Sequence, residues 1–204
     1  MPNLRKLHFL SAVTLGIFLI IHISNHVAAL WGLESHLAFM HQARLMYRHP
    51  VFEMLLLGLL LFQIASGITM LVRTWRERSG FVGWLQAISG AYLALFLIIH
   101  TSSVLMGRYQ LNLDTNFYFA AAGFHAGNLA WFFGPYYFLA VVTLFAHIGC
   151  ALFWNLGGGA SRLSPIALST AVVIGFSLAT LIVLALAGML YEVVIPQEYL
   201  NTYM

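Results

Sequence analysis

Several histidines lie inside apolar stretches of this sequence, at spacings that would allow their imidazoles to bind a metal ion. His22 and His26 stand four residues apart in the run GIFLIIHISNH, and His100 and His147 lie in two further apolar runs. Hydrocarbon cannot hydrate an imidazole, so an intramembrane histidine usually faces a bundle interior and meets a polar group or a metal ion. The single cysteine, Cys150, excludes a cysteine-based zinc or iron–sulfur site. Any bound metal must therefore be held by histidine.

The composition is that of an integral membrane protein. The 204 residues are 61% hydrophobic and 7% charged, and the mean hydropathy is +0.88, which water-soluble domains of this size do not show. Five apolar stretches are long enough to cross ~30 Å of hydrocarbon, and none alternates with the two-residue period of barrel strands. We therefore expect one all-α domain, a bundle of five transmembrane helices, with spans at about 9–31, 50–73, 82–107, 135–156 and 165–191.

The positive charges near the ends of the spans predict the orientation. A cytoplasmic N-terminus places six lysine or arginine residues on the cytoplasmic side against three on the other, and positive residues are enriched on the cytoplasmic side of membrane proteins. The six are Arg5, Lys6, Arg73, Arg76, Arg78 and Arg162, and the three are Arg44, Arg48 and Arg108. Because this topology explains the net charge of +3, the charge does not indicate nucleic-acid binding.

Helix geometry places His22 and His100 at a similar depth. At 1.5 Å per residue, His22 lies ~20 Å from the start of the first span, and His100 lies ~24 Å beyond Trp84 on the third span, which runs in the same direction. A six-coordinate haem needs one imidazole from each of two facing helices at one level. Small residues such as Ser89 and Gly90 leave room for a flat macrocycle. The sequence therefore predicts His22 and His100 as axial ligands of haem iron, with hydrogen-bonded packing residues as the alternative.

A second layer, nearer the membrane centre, is centred on His147. This residue lies ~14 Å along its helix from Phe138. At the corresponding depth the second helix offers Gln63, with Ser66 and Gly67 on the same side. Small residues on two helices thus leave room for a second haem macrocycle, but only one of the two helices, with His147, supplies a good iron ligand. A packing role for His147 is an equal alternative.

The remaining histidines are given less specific roles. His26 is an alternative iron ligand, a neighbour of a haem propionate or an interfacial residue, and the last two roles are favoured. His8, beside Arg5 and Lys6, is expected to contact lipid headgroups. The others fall in predicted loops, where a solvated histidine needs no explanation: His36, His41, His49 and His125.

The order of these features resembles the cytochrome b membrane anchor of succinate:quinone oxidoreductases, in its single-polypeptide, five-helix form. The resemblance covers about residues 4–157. It is carried by LRKLHFL and GIFLIIH in the first helix, by YRHPVFE and QIASGI in the second, by LQAISGAYLALFLIIH in the third and by HIGCALFW in the fourth.

The resemblance implies a haem b-binding subunit of a succinate dehydrogenase or fumarate reductase-type complex in the cytoplasmic (inner) membrane of a bacterium. His22 and His100 would ligate the haem farther from the cytoplasm. Flavoprotein and iron–sulfur subunits would dock on the cytoplasmic side and exchange electrons with quinone through this chain. No catalytic residue is assigned, and whether the subunit only anchors its partners or also reacts with quinone stays open.

One position departs from the family pattern. Gln63 stands where the resemblance implies the second ligand, opposite His147, for the haem nearer the cytoplasm. A glutamine amide is a weak, neutral oxygen donor that does not ordinarily replace imidazole on low-spin iron. Three outcomes are open: Gln63 hydrogen-bonds His147 without a haem, His147 alone holds a haem, or another ligand completes the site. We expect one haem b, with absence of the second favoured.

Two other functions fit the same sequence. The chain could be a transmembrane cytochrome b that serves a different redox complex or works alone, or a haem-free structural membrane subunit. The identity of the partner proteins distinguishes the first alternative from the anchor subunit implied by the resemblance. A haem spectrum distinguishes the second alternative from both haem-binding functions.

Overall fold

The computed structural model describes residues 2–203, and the chain is helical without strands over that range. The α-helices, numbered in chain order, are α1 (Pro2–Ala28), α2 (Leu33–Tyr47), α3 (Pro50–Arg73), α4 (Gly80–Tyr109), α5 (Phe117–His125), α6 (Ala130–Asn155), α7 (Leu163–Leu186) and α8 (Gln197–Leu200).

Five of these helices are long and apolar enough to cross a membrane: α1, α3, α4, α6 and α7. Their large apolar side chains point outward as well as inward; Ile20, for example, is 70% exposed and Val173 is 64% exposed. A water-soluble protein rarely exposes apolar surface on this scale, whereas lipid chains solvate it. The structure thus confirms the expected all-α bundle of a multi-pass membrane protein.

The predicted spans fall on these five helices, and two of the bounds differ for clear reasons. Helix α1 begins at Pro2, well before residue 9, because Arg5 and Lys6 are excluded from hydrocarbon but not from a helix. Helix α7 ends at Leu186, before residue 191. Gly188 there adopts a positive φ of 69°, a backbone conformation that closes a helix end and that glycine adopts without strain.

The membrane helices contact one another in a ring. Helix α1 packs on α3, α3 on α4, α4 on α6 and α6 on α7, and α7 returns to touch α1. The closest seam joins α6 and α7, where Gly149 faces Leu168 and Gly175 faces Phe145. Helices α1 and α4, which carry His22 and His100, are not neighbours in this ring, and within residues 2–203 they meet through side chains more than through close backbone packing.

The connections divide the bundle into two faces. The N-terminal face comprises the start of α1 and the short connections 74–79 and 156–162. The cap face comprises α2, the segment 110–129 that contains α5, and the C-terminal segment 187–203. Because α1 starts at the N-terminal face and α3 returns to it, the depth of any residue can be compared from helix to helix.

A cluster of buried apolar side chains joins the cap to the end of α7. Phe117 and Ala121 of α5 are completely buried, together with Leu186 at the end of α7. Phe117 thus packs inside the protein, whereas Trp131, near the start of α6, is 85% exposed.

The α6–α7 seam gives a direct test of this packing. A methyl group added at Gly175 would lie 2.5 Å from Cβ of Phe145, whereas one added at Gly58 meets nothing within 4 Å. We expect Gly175→Ala to lower the free energy of unfolding by about 1–3 kcal/mol through overpacking. Gly58→Ala, the matched control, should leave thermal unfolding in detergent unchanged or slightly raised. Equal unfolding midpoints for the two variants would contradict the seam.

Candidate functional site

His22 of α1 and His100 of α4 face each other across the bundle interior. Their ring centres lie 6.0 Å apart and their planes are inclined at 70°. No ring nitrogen of either residue has a hydrogen-bond partner among residues 2–203, in contrast to His8, His36 and His147. The fold thus brings the two predicted ligands together and leaves their nitrogens free of protein partners.

The spacing suits one metal ion bound by both rings. A metal–imidazole bond is about 2 Å long and the ring centre lies about 1 Å behind the nitrogen, so two imidazoles on one ion stand roughly 6 Å apart. Because α1 and α4 are not neighbours in the ring, the two imidazoles meet across the bundle interior. The residues present therefore fit a haem held by one imidazole from each helix.

Each of these histidines is stacked on the phenylalanine four residues before it. The ring centres of Phe18 and His22 are 5.5 Å apart, and those of Phe96 and His100 are 5.1 Å apart, with nearly parallel planes in both pairs. Residues four apart share a helix face, so each phenylalanine restricts the rotation of its imidazole. Both pairs belong to an identical pentapeptide, FLIIH, at 18–22 and 96–100. This repeat is a sequence signal for the pair that spacing alone did not reveal.

A row of imidazoles continues from His22 towards the cap face. The ring centre of His26 lies 5.0 Å from that of His22 and 5.6 Å from that of His36. His26 is thus a direct neighbour of the candidate site, within one helical turn of a predicted ligand.

The expectation that His36 lies in a solvated loop is wrong. His36 belongs to α2 and is only 3% exposed. Its Nδ1–H donates to the backbone carbonyl of Asn25 at 2.8 Å, and the side-chain amide of Asn25 donates to its Nε2 at 3.2 Å. The carbonyls of the last turn of a helix lack partners within the helix. His36 therefore ties α2 to the end of α1.

His125 has a similar role, and it too is helical rather than in a loop. It lies in α5 and donates Nε2–H to the carbonyl of Leu186, the last residue of α7, at 3.1 Å. His49 is exposed in a connection, as expected, whereas His41 is exposed but belongs to helix α2 and not to a loop. Glu53 is paired with Arg108 at the cap end of α3 and α4.

On the N-terminal side of the bundle, Gln63 hydrogen-bonds His8 and not His147. The amide oxygen of Gln63 accepts from the Ser11 hydroxyl at 2.5 Å, so its amide nitrogen donates to Nε2 of His8 at 3.0 Å. Nδ1–H of His8 in turn donates to Oγ of Ser66 at 2.7 Å. His8 is therefore part of the helix interface between α1 and α3, and the expected headgroup contact is wrong.

His147 lies instead against α4. Its Nδ1 is 3.1 Å from the carbonyl oxygen of Gln86 and 3.2 Å from Oγ of Ser89. Because a carbonyl only accepts hydrogen bonds, Nδ1 carries the proton and Nε2 keeps its lone pair. The ring lies over Gly90, where a Cβ atom would be 2.9 Å from Cε1.

No group of three or more histidine, cysteine, aspartate or glutamate side chains suited to a metal ion occurs within residues 2–203. The paired imidazoles of His22 and His100 are consequently the best donor set. Two imidazoles suit a metal whose other four ligands come from a macrocycle, as in haem.

Comparisons with protein-family profiles, with curated proteins and with solved structures find no match for this chain. The residues that point most directly to a function are therefore His22 and His100, the two facing imidazoles.

The environment of His36 predicts a pH dependence of stability. Burial lowers the pKa of His36; its hydrogen bond to the Asn25 carbonyl opposes this shift and the positive charge of Arg44 adds to it. Because His36 takes up a proton at a higher pH in the unfolded chain than in the folded protein, protonation favours unfolding. The free energy of unfolding is therefore highest above the ordinary imidazole pKa of about 6.5 and decreases as the pH falls below it. We expect the midpoint temperature of unfolding in detergent to decrease as the pH is lowered from about 7.5 to about 5.5.

The contribution of His36 is separated by substitution. His36→Leu should show a smaller fall in the unfolding midpoint over this pH range than the unmodified protein. His41→Leu, at an exposed position of the same helix, should keep the full dependence. An unchanged dependence in His36→Leu would refute the assignment.

Proposed function

We propose that this chain is the haem b-binding membrane anchor of a succinate dehydrogenase or fumarate reductase-type complex. It would pass electrons between quinone in the membrane and iron–sulfur and flavin subunits on the cytoplasmic side. The observation that supports the haem assignment is the pair His22 and His100, whose ring centres lie 6.0 Å apart on two helices that are not neighbours in the ring. The bound haem supplies one-electron transfer at an iron whose potential the protein tunes.

The protein's part in this chemistry is to orient the ligands and to exclude water. The stacked Phe18 and Phe96 rings restrict the two imidazoles, which favours a fixed coordination in both oxidation states. The cap covers the end of the bundle nearest these residues, with Phe117 packed against His36 at 5.2 Å between ring centres. A dry, rigid site of this kind is what rapid one-electron transfer requires, because little has to rearrange.

The distribution of paired charges supports a cytoplasmic N-terminal face. At the cap face, Arg44 and Arg48 both lie within ion-pair distance of Asp114, and Arg108 pairs with Glu53. Within residues 2–203, none of the six basic residues at the N-terminal face has a carboxylate partner at that distance. Within residues 2–203, carboxylate pairing of basic residues is thus found at the cap face, and unpaired positive charge of the kind at the N-terminal face is retained on the cytoplasmic side.

The turn between α3 and α4 offers the exposed basic residues that a cytoplasmic partner could contact. Arg78 is already engaged, since it donates to the carbonyl of Leu71 and to Oγ1 of Thr74 and lies over the Trp75 ring. Arg73 and Arg76 are exposed. We assign these two to docking of the iron–sulfur subunit, with binding to anionic lipid headgroups as the competing use of the same charges.

The first experiment is optical and magnetic. His22→Ala and His100→Ala should each abolish the low-spin haem b signal, because each removes one axial ligand. Gln63→Ala and the exposed control His41→Ala should retain it. The near-perpendicular rings further predict a strongly anisotropic low-spin electron paramagnetic resonance signal. Retention of the low-spin haem in both ligand variants would refute the site, and a protein without any haem band would favour the structural-subunit alternative.

The second experiment concerns partners. After gentle detergent extraction from the native membrane, the chain should co-purify with a flavin-containing and an iron–sulfur subunit. Arg73→Glu combined with Arg76→Glu should weaken that association while leaving the haem spectrum intact, because these residues lie far from His22 and His100. Co-purification with a different redox complex would instead favour a transmembrane cytochrome b that serves that complex.

A further inference from the structure

The imidazoles of His22 and His100 are not oriented by hydrogen bonds from other protein groups within residues 2–203. Histidines that ligate metals commonly donate their second N–H to a carbonyl or a carboxylate, and this bond fixes the plane of the ring. His147 is oriented in this way, since its Nδ1–H donates to the carbonyl of Gln86 at 3.1 Å. A different contact must therefore set the angle of 70° between the rings of His22 and His100.

Stacked phenylalanine rings supply that contact. Phe18 lies on His22 with the two planes inclined at 22°, and Phe96 lies on His100 with the planes inclined at 13°. A ring in nearly parallel contact with an imidazole opposes its rotation, because the turned imidazole would collide with the neighbouring ring. Each imidazole is consequently held only as firmly as the phenylalanine beside it.

The two phenylalanines are held in turn by tyrosines from different parts of the protein. Phe96 packs against Tyr136 and Tyr137 of the membrane helix α6, with ring centres 4.9 Å and 6.2 Å away. Phe18 meets Tyr47 at 5.5 Å between ring centres with the planes at 84°, the edge-to-face arrangement that aromatic pairs favour. Tyr47 is the last residue of α2. One phenylalanine is thus supported from the membrane bundle and the other from the cap.

Helix α2 is fixed near both of its ends, so Tyr47 has a defined position. Near the start of the helix, His36 donates to the backbone carbonyl of Asn25 at 2.8 Å. In the last turn, the guanidinium of Arg44 pairs with Asp114 at 2.8 Å. Because α2 cannot turn about its axis without breaking these contacts, the cap determines where the tyrosine ring lies.

We propose that Tyr47 is a positioning residue: through Phe18 it fixes the plane of the His22 imidazole, and hence the angle between the two candidate iron ligands. This proposal rests on the proposed function, since it requires an iron bound by both imidazoles. Nearly perpendicular imidazoles leave two iron d orbitals close in energy, which makes the electron paramagnetic resonance signal of low-spin ferric haem strongly anisotropic. The signal therefore reports the ring angle while the ligands themselves stay the same.

The test is electron paramagnetic resonance spectroscopy of the oxidised, purified full chain in frozen solution. Tyr47→Ala removes the ring that supports Phe18 and frees the His22 imidazole to turn, so the largest g value should decrease and its line should broaden at unchanged haem content. Tyr47→Phe keeps the ring and should show the spectrum of the unmodified protein. Tyr109→Ala is the matched control, at a tyrosine that is 66% exposed at the end of α4, and it should change nothing.

A double variant tests the route through Phe18. Phe18→Leu should lower the largest g value as Tyr47→Ala does, and the combined variant should shift it no further than Phe18→Leu alone, because residues that act in series are not additive. Phe18→Leu also keeps the proposal testable if Tyr47→Ala fails to fold. An unchanged g value in either single variant, an equal shift in Tyr109→Ala, or fully additive shifts would overturn the proposal.

The same samples separate this proposal from the proposed function. A low-spin haem that is lost in His22→Ala and in His100→Ala but is insensitive to Tyr47→Ala would overturn the positioning role and leave the ligand pair standing. A low-spin haem that survives both histidine variants would refute the ligand pair and the positioning role with it. Complete absence of haem would overturn both.

Discussion

The constraint on which this structure depends is that an imidazole in a membrane interior must have its nitrogens bonded to something. The deeply placed histidines meet it to three different degrees within the protein. Both nitrogens of His8 are bonded by protein groups, His147 has one bonded and one free, and His22 and His100 face each other with no protein partner. This graded pattern is a stronger guide to chemistry than the mere presence of histidine, because a packing histidine would be satisfied by its neighbours.

The ring of helices and the cap have different roles in the packing. In the ring, small residues such as Gly149 and Gly175 let α6 and α7 approach closely. Much of the buried apolar core lies outside the membrane helices, in the cap. Hydrogen bonds from His36 and His125 join this cap to the ends of α1 and α7. The cap is thus fixed to the ends of two of the membrane helices.

The two faces of the bundle differ in how their charges are used. The cap face pairs its arginines with Asp114 and Glu53, which fixes the connections there. The N-terminal face leaves its basic residues without carboxylate partners within residues 2–203, where they can meet lipid phosphates or an acidic protein surface. The layer around His8, Gln63 and His147 lies nearer that face.

The sequence by itself determined the five membrane helices, because an apolar run of sufficient length has few other stable states. It also indicated that His22 and His100 share a depth, since the rise per residue fixes position along a helix axis. It did not determine which helices are neighbours or how each is rotated. Only the tertiary structure decided that Gln63 meets His8 and not His147, and that His36 is buried against Asn25. Those contacts depend on lateral packing between segments that are distant in the chain, and a one-dimensional spacing carries no information about them.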